Sequence, residues 1–131
     1  MKILVTGGAG FIGSNVAMWF AKKGHQVTAL DDLSRKGTEK NVKWLKKEKN
    51  ITFVLGDVMQ EFGPATFDVI VHLASQTGVI PSMENPQMDF LVNAWGTFNV
   101  LEYARKMNSQ PLVIFASTNK VYGDVRGNKP I

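Results

Sequence analysis

A glycine-rich run near the N-terminus constrains the fold of this 131-residue chain more than any other feature. Gly8, Gly10 and Gly13 have the spacing G-x-G-x-x-G, and Gly7, Gly10 and Gly13 have the spacing G-x-x-G-x-x-G. In such runs one glycine permits a tight turn, another lets backbone approach an anion, and a third lets a helix pack closely on a sheet. An apolar strand pattern at residues 3–5 precedes the run and a helical pattern follows it. The run therefore predicts a strand–turn–helix unit whose helix N-terminus faces a diphosphate.

Four further segments of strand length predict an α/β fold. With residues 3–5, they are residues 27–30, 51–55, 69–74 and 112–116. Three of these five segments are nearly continuous apolar runs, which is typical of strands buried on both faces. Because helical patterns separate the strands, we expect a Rossmann-type, doubly wound parallel sheet of order 3-2-1-4-5 with helices on both faces.

Three helices are predicted between the strands. Apolar residues recur at four-residue spacing from position 12 to 20, and Gly24 is expected to end that helix. Residues 37–49 predict a lysine-rich surface helix, and residues 85–107 predict a longer helix that begins near Pro86. Residues 59–64 are too few for a long helix.

The composition is that of a cytoplasmic globular domain. Hydrophobic residues make up 44% of the chain and charged residues 20%, and there is no cysteine for a disulfide or a cysteine-based metal site. No apolar stretch has the length of a membrane span, and glycines follow the first apolar residues too soon for a secretory signal.

Lysines account for much of the net charge of +4. Six of them fall in one segment: Lys36, Lys40, Lys43, Lys46, Lys47 and Lys49. A surface that attracts an anionic ligand or nucleic acid is one interpretation. We favour a solvated helix face and no nucleic-acid partner, because aromatic residues are not interleaved with these lysines.

Asp31, at the end of the second strand, lies 18 residues after Gly13, near the spacing expected for a ribose-binding acid. Its carboxylate would accept hydrogen bonds from both ribose hydroxyls and would repel a 2′-phosphate, so the sequence favours NAD over NADP. Arg35 leaves NADP open, since a guanidinium there could bind a 2′-phosphate. Asp31 or Asp32 could also simply cap the next turn. A nucleoside-triphosphate P-loop is disfavoured, because no Gly-Lys-Ser/Thr follows the glycines.

Five motifs in the same order make the chain resemble the extended short-chain dehydrogenase/reductases, which include NAD-dependent nucleoside-diphosphate-sugar epimerases and dehydratases. They are VTGGAGFIGS at 5–14, GDV at 56–58, VHLA at 71–74, NAWGT at 93–97 and STNKVYGD at 117–124. The resemblance covers essentially the whole chain. Residues 32–41 and 117–123 look most like the CDP-paratose (tyvelose) 2-epimerases.

The resemblance implies a role for each residue around the predicted crevice. The implied cofactor-binding residues are Gly7, Gly10, Phe11, Ile12 and Gly13 at the diphosphate, Asp31, Asp32, Leu33, Ser34 and Arg35 at the adenosine ribose, Asp57 and Val58 at the adenine, and Leu73, Ala74, Gln76 and Asn93 further along the cofactor. Thr118 takes the place of the catalytic Ser/Thr that hydrogen-bonds the substrate hydroxyl. No metal is implied.

Structural roles stay open for several of these residues. Asp57 could form a turn after Gly56, and Thr118 could belong to a turn after the fifth strand. Asn93 could bond the backbone of a neighbouring strand. His72 lies within an apolar run, so we interpret it as a satisfied core histidine without a catalytic role.

The Tyr-x-x-x-Lys pair that transfers protons in this group is not found in the sequence. Tyr103 is followed four residues later by Met107, and Tyr122 by Arg126. We therefore expect residues 1–131 to be the N-terminal, NAD-binding Rossmann domain of a longer, epimerase-type enzyme whose substrate-binding part is absent. Such a chain would bind NAD but would not epimerise a nucleotide-sugar alone.

Three functions fit the sequence. The leading hypothesis is a nucleotide-sugar epimerase that acts by transient hydride transfer to NAD. A nucleotide-sugar 4,6-dehydratase would use the same cofactor half, but Asn119 and Lys120 stand where that family usually has Asp-Glu. A non-enzymatic NAD-binding module is the third. A bare fifth strand and uncovered apolar surface would also favour self-association.

Overall fold

All five predicted strands are present in one parallel sheet. The structure is a computed structural model that describes residues 1–118 and residue 121. The strands are β1 (Lys2–Thr6), β2 (Gln26–Asp31), β3 (Ile51–Leu55), β4 (Val69–His72) and β5 (Leu112–Phe115). Their order is β3-β2-β1-β4-β5 and every pair is parallel, so the predicted order 3-2-1-4-5 is confirmed.

The strand order reverses between β1 and β4. Thr6, the last residue of β1, pairs with Leu30 of β2 on one side and with His72 of β4 on the other. The carboxyl ends of these three strands therefore meet at one edge of the sheet. In doubly wound folds this reversal opens the crevice where ligands bind.

Helices cover both faces of the sheet. They are α1 (Phe11–Lys22), α2 (Thr38–Leu45), α3 (Val79–Glu84), α4 (Pro86–Phe90) and α5 (Gly96–Lys106), and a π-helical turn, Leu91–Trp95, joins α4 to α5. Gly24 has a φ of 86° just after α1, as expected of a glycine that ends a helix. No helix in the described part of the chain is long and apolar enough to cross a membrane.

Two of the helix predictions were wrong in extent. The lysine-rich helix ends at Leu45 rather than at residue 49, because the bonds that follow are three-residue turns. The Lys47 N–H donates to the Trp44 carbonyl at 3.2 Å and the Glu48 N–H to the Leu45 carbonyl at 3.0 Å. The predicted helix 85–107 is interrupted by the π-helical turn, and α3, which precedes it, was not predicted. Asn85 separates α3 from α4, since its side chain accepts a hydrogen bond from the Met88 N–H at 3.0 Å and caps α4.

The core lies in two layers because side chains alternate along β1. Ile3 and Val5 pack with Ala17 and Ala21 of α1 on one face. Leu4 points to the other face, where it joins a cluster that includes Val100 of α5. All three apolar residues of β1 are at most 1% exposed, as predicted for a strand buried on both faces.

Candidate functional site

A crevice of about 450 Å³ lies at the carboxyl ends of the central strands. Fourteen of the residues predicted from the sequence line it: Gly7, Gly10, Phe11, Ile12, Gly13, Asp31, Asp32, Ser34, Arg35, Asp57, Val58, Leu73, Ala74 and Gln76. Leu33, Asn93 and Thr118 are not part of this lining. Thr38, Thr77 and Val92 line it as well and were not singled out in the sequence, and Ser117, which begins the motif at 117–124, also lines it.

The glycine turn brings backbone into contact with backbone. Gly7 has a φ of 65°, and a Cβ atom added there would lie 2.8 Å from the backbone nitrogen of Ala74, in the loop after β4. A Cβ atom on Gly13 would overlap the carbonyl oxygen of Gly7. Gly7 thus makes the turn, and Gly13 lets α1 approach the end of β1, as the spacing predicted.

The N-terminus of α1 presents unpaired backbone donors to the crevice. The Ser14 N–H donates to the Gly10 carbonyl at 3.0 Å, which leaves the N–H groups of Phe11, Ile12 and Gly13 before the first intrahelical bond. Gly10 offers no side chain to cap them, and the first turn of α1 holds no acidic residue. An anion in the crevice would therefore meet several N–H donors and the positive end of the helix dipole.

Asp31 is buried at the edge of the crevice and already holds two backbone groups. One carboxylate oxygen accepts from the Ala9 N–H at 2.9 Å and the other from the Leu33 N–H at 2.9 Å. The second bond accompanies a left-handed backbone at Leu33, whose φ is 59°. Asp31 therefore caps the turn, which was the structural alternative. A carboxylate has about four acceptor positions, so two remain for hydroxyls of a ligand.

The residues that follow Asp31 form the rim of the crevice. Asp32 accepts hydrogen bonds from the backbone N–H and the hydroxyl of Ser34, at 3.0 and 2.8 Å. The Arg35 Nη1 donates to the Thr77 hydroxyl at 3.0 Å, which joins the loop after β2 to the loop after β4. Both members of this bond line the crevice, so the guanidinium lies along one side of its opening.

The far end of the crevice is fixed by α5. The Asp57 carboxylate accepts from the Met59 N–H at 2.8 Å, which is the turn that sequence reasoning offered as the alternative to binding. Val58 is buried against Gly96, where an added Cβ atom would lie 2.7 Å from a Val58 methyl group. The Asn99 side chain donates to the Val58 carbonyl at 3.1 Å. Asp57 and Val58 therefore form a rigid wall.

Asn93 lies behind the crevice wall and holds it from there. Its Oδ1 accepts from the Gln76 N–H at 2.9 Å, and its Nδ2 donates to the Asp89 carboxylate at 3.2 Å. Gln76 itself lines the crevice. The structural alternative for Asn93 was a bond to the backbone of a neighbouring strand. Asn93 does bond backbone, but that backbone belongs to the loop after β4.

Thr118 lies just beyond β5, next to the lining residue Ser117. It is exposed, and its carbonyl accepts from the Val121 N–H at 3.4 Å. The sequence expectations for Asn119, Lys120 and Tyr122 lie outside the described residues.

His72 is among the residues that line the crevice, but it is buried, with 1% of its surface exposed. Both ring nitrogens have hydrogen-bond partners, Thr6 for Nδ1 and Thr97 for Nε2. Burial lowers the pKa of His72 from its ordinary value of 6.5 and favours the neutral imidazole. This agrees with the sequence interpretation of a satisfied core histidine.

The fold and the crevice define a class: an α/β protein whose glycine-rich turn and helix N-terminus form an anion site where the strand order reverses. Within that class, the chain belongs to the family described as GDP-mannose 4,6 dehydratase, whose model matches residues 4–131. The predicted likeness to nucleotide-sugar epimerases and dehydratases is therefore confirmed.

Individual relatives support the same assignment. A CDP-paratose 2-epimerase from Salmonella typhi is 42% identical over 135 residues, which cover 98% of this chain and 40% of that protein. The structure of a UDP-Glc/GlcNAc 4-epimerase from Campylobacter jejuni matches with a TM-score of 0.83 and 34% identity, over 93% of this chain and 38% of the other. A dTDP-glucose 4,6-dehydratase from Streptomyces venezuelae, solved with NAD bound, has a TM-score of 0.83 and 28% identity, over 98% of this chain and 42% of the other. The chain thus spans about two-fifths of the length of these relatives.

The contact at Gly13 gives a test of the turn. In Gly13→Ala the new methyl group overlaps the Gly7 carbonyl, so we expect the free energy of unfolding in urea to fall by about 1–3 kcal/mol, as for other overpacked sites. Gly63→Ala is the matched control, because an added Cβ there meets nothing within 4 Å and its φ is not positive. A Gly13→Ala protein as stable as the Gly63→Ala protein would contradict the assigned contact.

Proposed function

We propose that residues 1–131 form the NAD-binding domain of a nucleotide-sugar epimerase. The observation that carries this proposal is the pairing of the uncapped N-terminus of α1 with the buried carboxylate of Asp31 across one crevice. The first suits a diphosphate and the second suits the two hydroxyls of an adjoining ribose. A crevice of about 450 Å³ is also large enough for a small-molecule ligand.

The other implied residues extend this arrangement along the dinucleotide. Asp57 and Val58 would flank the adenine, and Asp32, Leu33, Ser34 and Arg35 would shape the ribose end. Leu73, Ala74 and Gln76 would lie beside the rest of the cofactor, with Asn93 holding Gln76 from behind. The NAD-bound dehydratase relative supports NAD as the ligand.

When bound, NAD would supply a reversible hydride acceptor for a sugar carbon, which would allow the hydride to return to the opposite face of the sugar. The residues of this chain bind and orient the cofactor and keep water from its buried side. Thr118, beside the crevice, would hydrogen-bond the hydroxyl that is oxidised. The sequence offers no Tyr-x-x-x-Lys pair to take up the hydroxyl proton, so we propose that this chain alone does not complete the reaction.

A nucleotide-sugar 4,6-dehydratase is the second candidate, supported by the family description and by the Streptomyces venezuelae relative. Asn119-Lys120 after Thr118 favours the epimerase. A non-enzymatic NAD-binding module is the third candidate and needs only the crevice. A cytoplasmic location and the absence of nucleic-acid and membrane partners remain predictions from composition.

Calorimetric titration with NAD and NADP tests the binding proposal. We expect the chain to bind NAD more tightly than NADP. We expect Asp31→Asn to weaken NAD binding about 10- to 100-fold, because hydrogen bonds to a charged acceptor are worth about 1.5–3 kcal/mol. Glu61→Gln, the same charge change at an exposed residue outside the crevice, is the control and should leave the affinity unchanged. Absence of NAD binding, or equal affinity in Asp31→Asn and Glu61→Gln, would contradict the proposal.

A turnover measurement separately tests the proposal that this chain alone does not epimerise a nucleotide-sugar. With saturating NAD and a CDP- or UDP-sugar, we expect the isolated chain to form no epimer, because its sequence lacks the Tyr-x-x-x-Lys pair that would take up the hydroxyl proton. Product analysis by NMR of the sugar anomeric protons checks this. Epimer formation above the no-protein control would contradict the proposal that this chain alone does not complete the reaction.

We also propose that the chain self-associates through apolar surface near α5. Trp95 and Phe98 stack with ring centroids 5.3 Å apart, and both are about half exposed, as is Leu101 one turn further on. Exposed apolar patches of this kind are common at protein interfaces.

Sedimentation velocity at increasing concentration checks the self-association. We expect the wild-type chain to form dimers or larger species, and Phe98→Glu to shift it toward monomer because a carboxylate is costly to bury. Trp19→Glu is the control, since Trp19 is similarly exposed on α1, which packs on the opposite face of the sheet from α5. A monomeric wild-type chain, or equal effects of the two substitutions, would refute the proposed surface.

A further inference from the structure

The hydrogen bonds around His72 determine which ring nitrogen carries the proton. The Thr97 hydroxyl donates its one proton to the Asn93 carbonyl at 2.6 Å. Its oxygen, 3.0 Å from Nε2 of His72, must therefore accept from an Nε2–H group. A neutral imidazole protonated at Nε2 has a bare Nδ1, and this nitrogen accepts from the Thr6 hydroxyl at 2.6 Å.

This tautomer orients the Thr6 hydroxyl toward the loop after β4. With its proton on Nδ1, the Thr6 oxygen keeps its lone pairs for the backbone N–H groups of Leu73 and Ala74, at 3.2 and 3.3 Å. Leu73 and Ala74 line the crevice, and Thr6 directly precedes the turn at Gly7. The imidazole thus connects the glycine turn to the first residues of the neighbouring loop.

The other ring nitrogen reaches the end of the same loop. The Nε2–H group donates to the Thr97 hydroxyl, which donates in turn to the Asn93 carbonyl. The Asn93 side chain accepts from the Gln76 N–H at 2.9 Å. Residues 73–76 are therefore held at both ends by groups that connect through His72. Because β1 and β4 flank the reversal of strand order, these bonds fix the spacing of the two crevice walls.

We propose that His72 is a positioning residue for the dinucleotide crevice. The neutral, Nε2-protonated imidazole holds residues 73–76 against the end of β1. Protonation at Nδ1 turns an acceptor into a donor that faces the Thr6 hydroxyl, so the hydroxyl rotates and releases the Ala74 N–H, and dinucleotide binding weakens. The Leu73 N–H keeps its bond to the Thr6 backbone carbonyl at 3.2 Å. The effect on binding rests on the proposed function.

Among the residues that the structure describes, none supplies the ring with a charge that would stabilise the imidazolium. From β1 the ring meets the Thr6 hydroxyl, from α5 the Thr97 hydroxyl, and from β5 the Phe115 ring, with centroids 5.6 Å apart. The charged groups on the packed elements and the adjoining helix are Lys2 at the opposite end of β1, Glu102, Arg105 and Lys106 in the last turns of α5, and Asp89 of α4. Asp89 reaches this network only through the Asn93 side chain in the described residues.

The direction of the pH effect follows from burial. Burial lowers the pKa of His72 in the folded chain below 6.5, so the neutral form and its bonds are fully present above that pH. They are lost as the pH falls through the lowered folded-state pKa. Dinucleotide affinity is expected to follow the same course.

NAD affinity measured by calorimetry between pH 8 and pH 5 tests the proposal. Wild-type affinity should fall by up to about tenfold per pH unit below the folded-state pKa of His72, since binding then requires the loss of one proton. His72→Asn cannot be protonated but keeps an acceptor for the Thr6 hydroxyl, so its affinity should be lower at pH 8 and independent of pH. His25→Asn, which changes the other histidine, should keep the wild-type profile. A wild-type affinity that does not change across the pH range in which nitrogen-15 NMR shows His72 becoming protonated, or a pH-dependent His72→Asn profile, would overturn the proposal.

The Thr97 position supplies a second pair of variants if His72→Asn does not fold. Thr97→Val removes the acceptor of the Nε2–H group and should weaken NAD binding at pH 8, whereas Thr97→Ser keeps the hydroxyl and should restore it. Equal affinities of the Val and Ser variants would count against the proposal.

Nitrogen-15 NMR of the imidazole and amide exchange of Leu73 and Ala74 need no ligand. We expect the Nε2-protonated tautomer at pH 8, and exchange of the Ala74 amide that accelerates as the ring is protonated. The Leu73 amide, which also donates to the Thr6 backbone carbonyl, is the internal control. A neutral ring protonated at Nδ1 at pH 8 would overturn the role of His72. So would an exchange rate of the Ala74 amide that does not change when the ring is protonated. A chain that binds no NAD at pH 8 would instead refute the proposed function, and the two failures are thereby distinguished.

Discussion

The approach of α1 to the end of β1 is the contact on which the rest of the structure depends. Only a residue without a side chain can occupy position 13, because the Gly7 carbonyl lies where a Cβ atom would be. This contact aims the first N–H groups of α1 at the crevice and leaves them without a protein partner in the helix. A diphosphate is the ligand chemistry that satisfies such donors, so the anion site follows from helix packing.

The walls of the crevice are held from behind by polar side chains that do not touch its interior. Asn93 holds Gln76, Asn99 holds Val58, and Thr6 holds the backbone after β4. Each wall is a loop, and holding the backbone of a loop in one conformation costs conformational entropy. Partly buried hydrogen bonds to the flanking helix and strand offset that cost before a ligand binds, so the site is preformed.

Sequence reasoning predicted the sheet well because continuous apolar runs and glycine spacing are local signals. The five strands, their order and the roles of Gly7 and Gly13 all follow from such signals. The π-helical turn does not, because apolar periodicity does not show where the helical hydrogen bonds between α4 and α5 change their spacing. The bond from Arg35 to Thr77 joins residues 42 positions apart and could not be predicted for the same reason.

Titration of the nitrogen-15-labelled chain with NAD, followed at the backbone amides of Phe11, Ile12 and Gly13, tests the central claim most directly. These are the donors that the packing of α1 leaves unpaired at the crevice. The account predicts that their resonances shift saturably with NAD, together with that of Ala9, whose N–H is bonded to Asp31. Unchanged resonances for the three donors at saturating NAD, or binding that perturbs only amides far from the glycine turn, would contradict it.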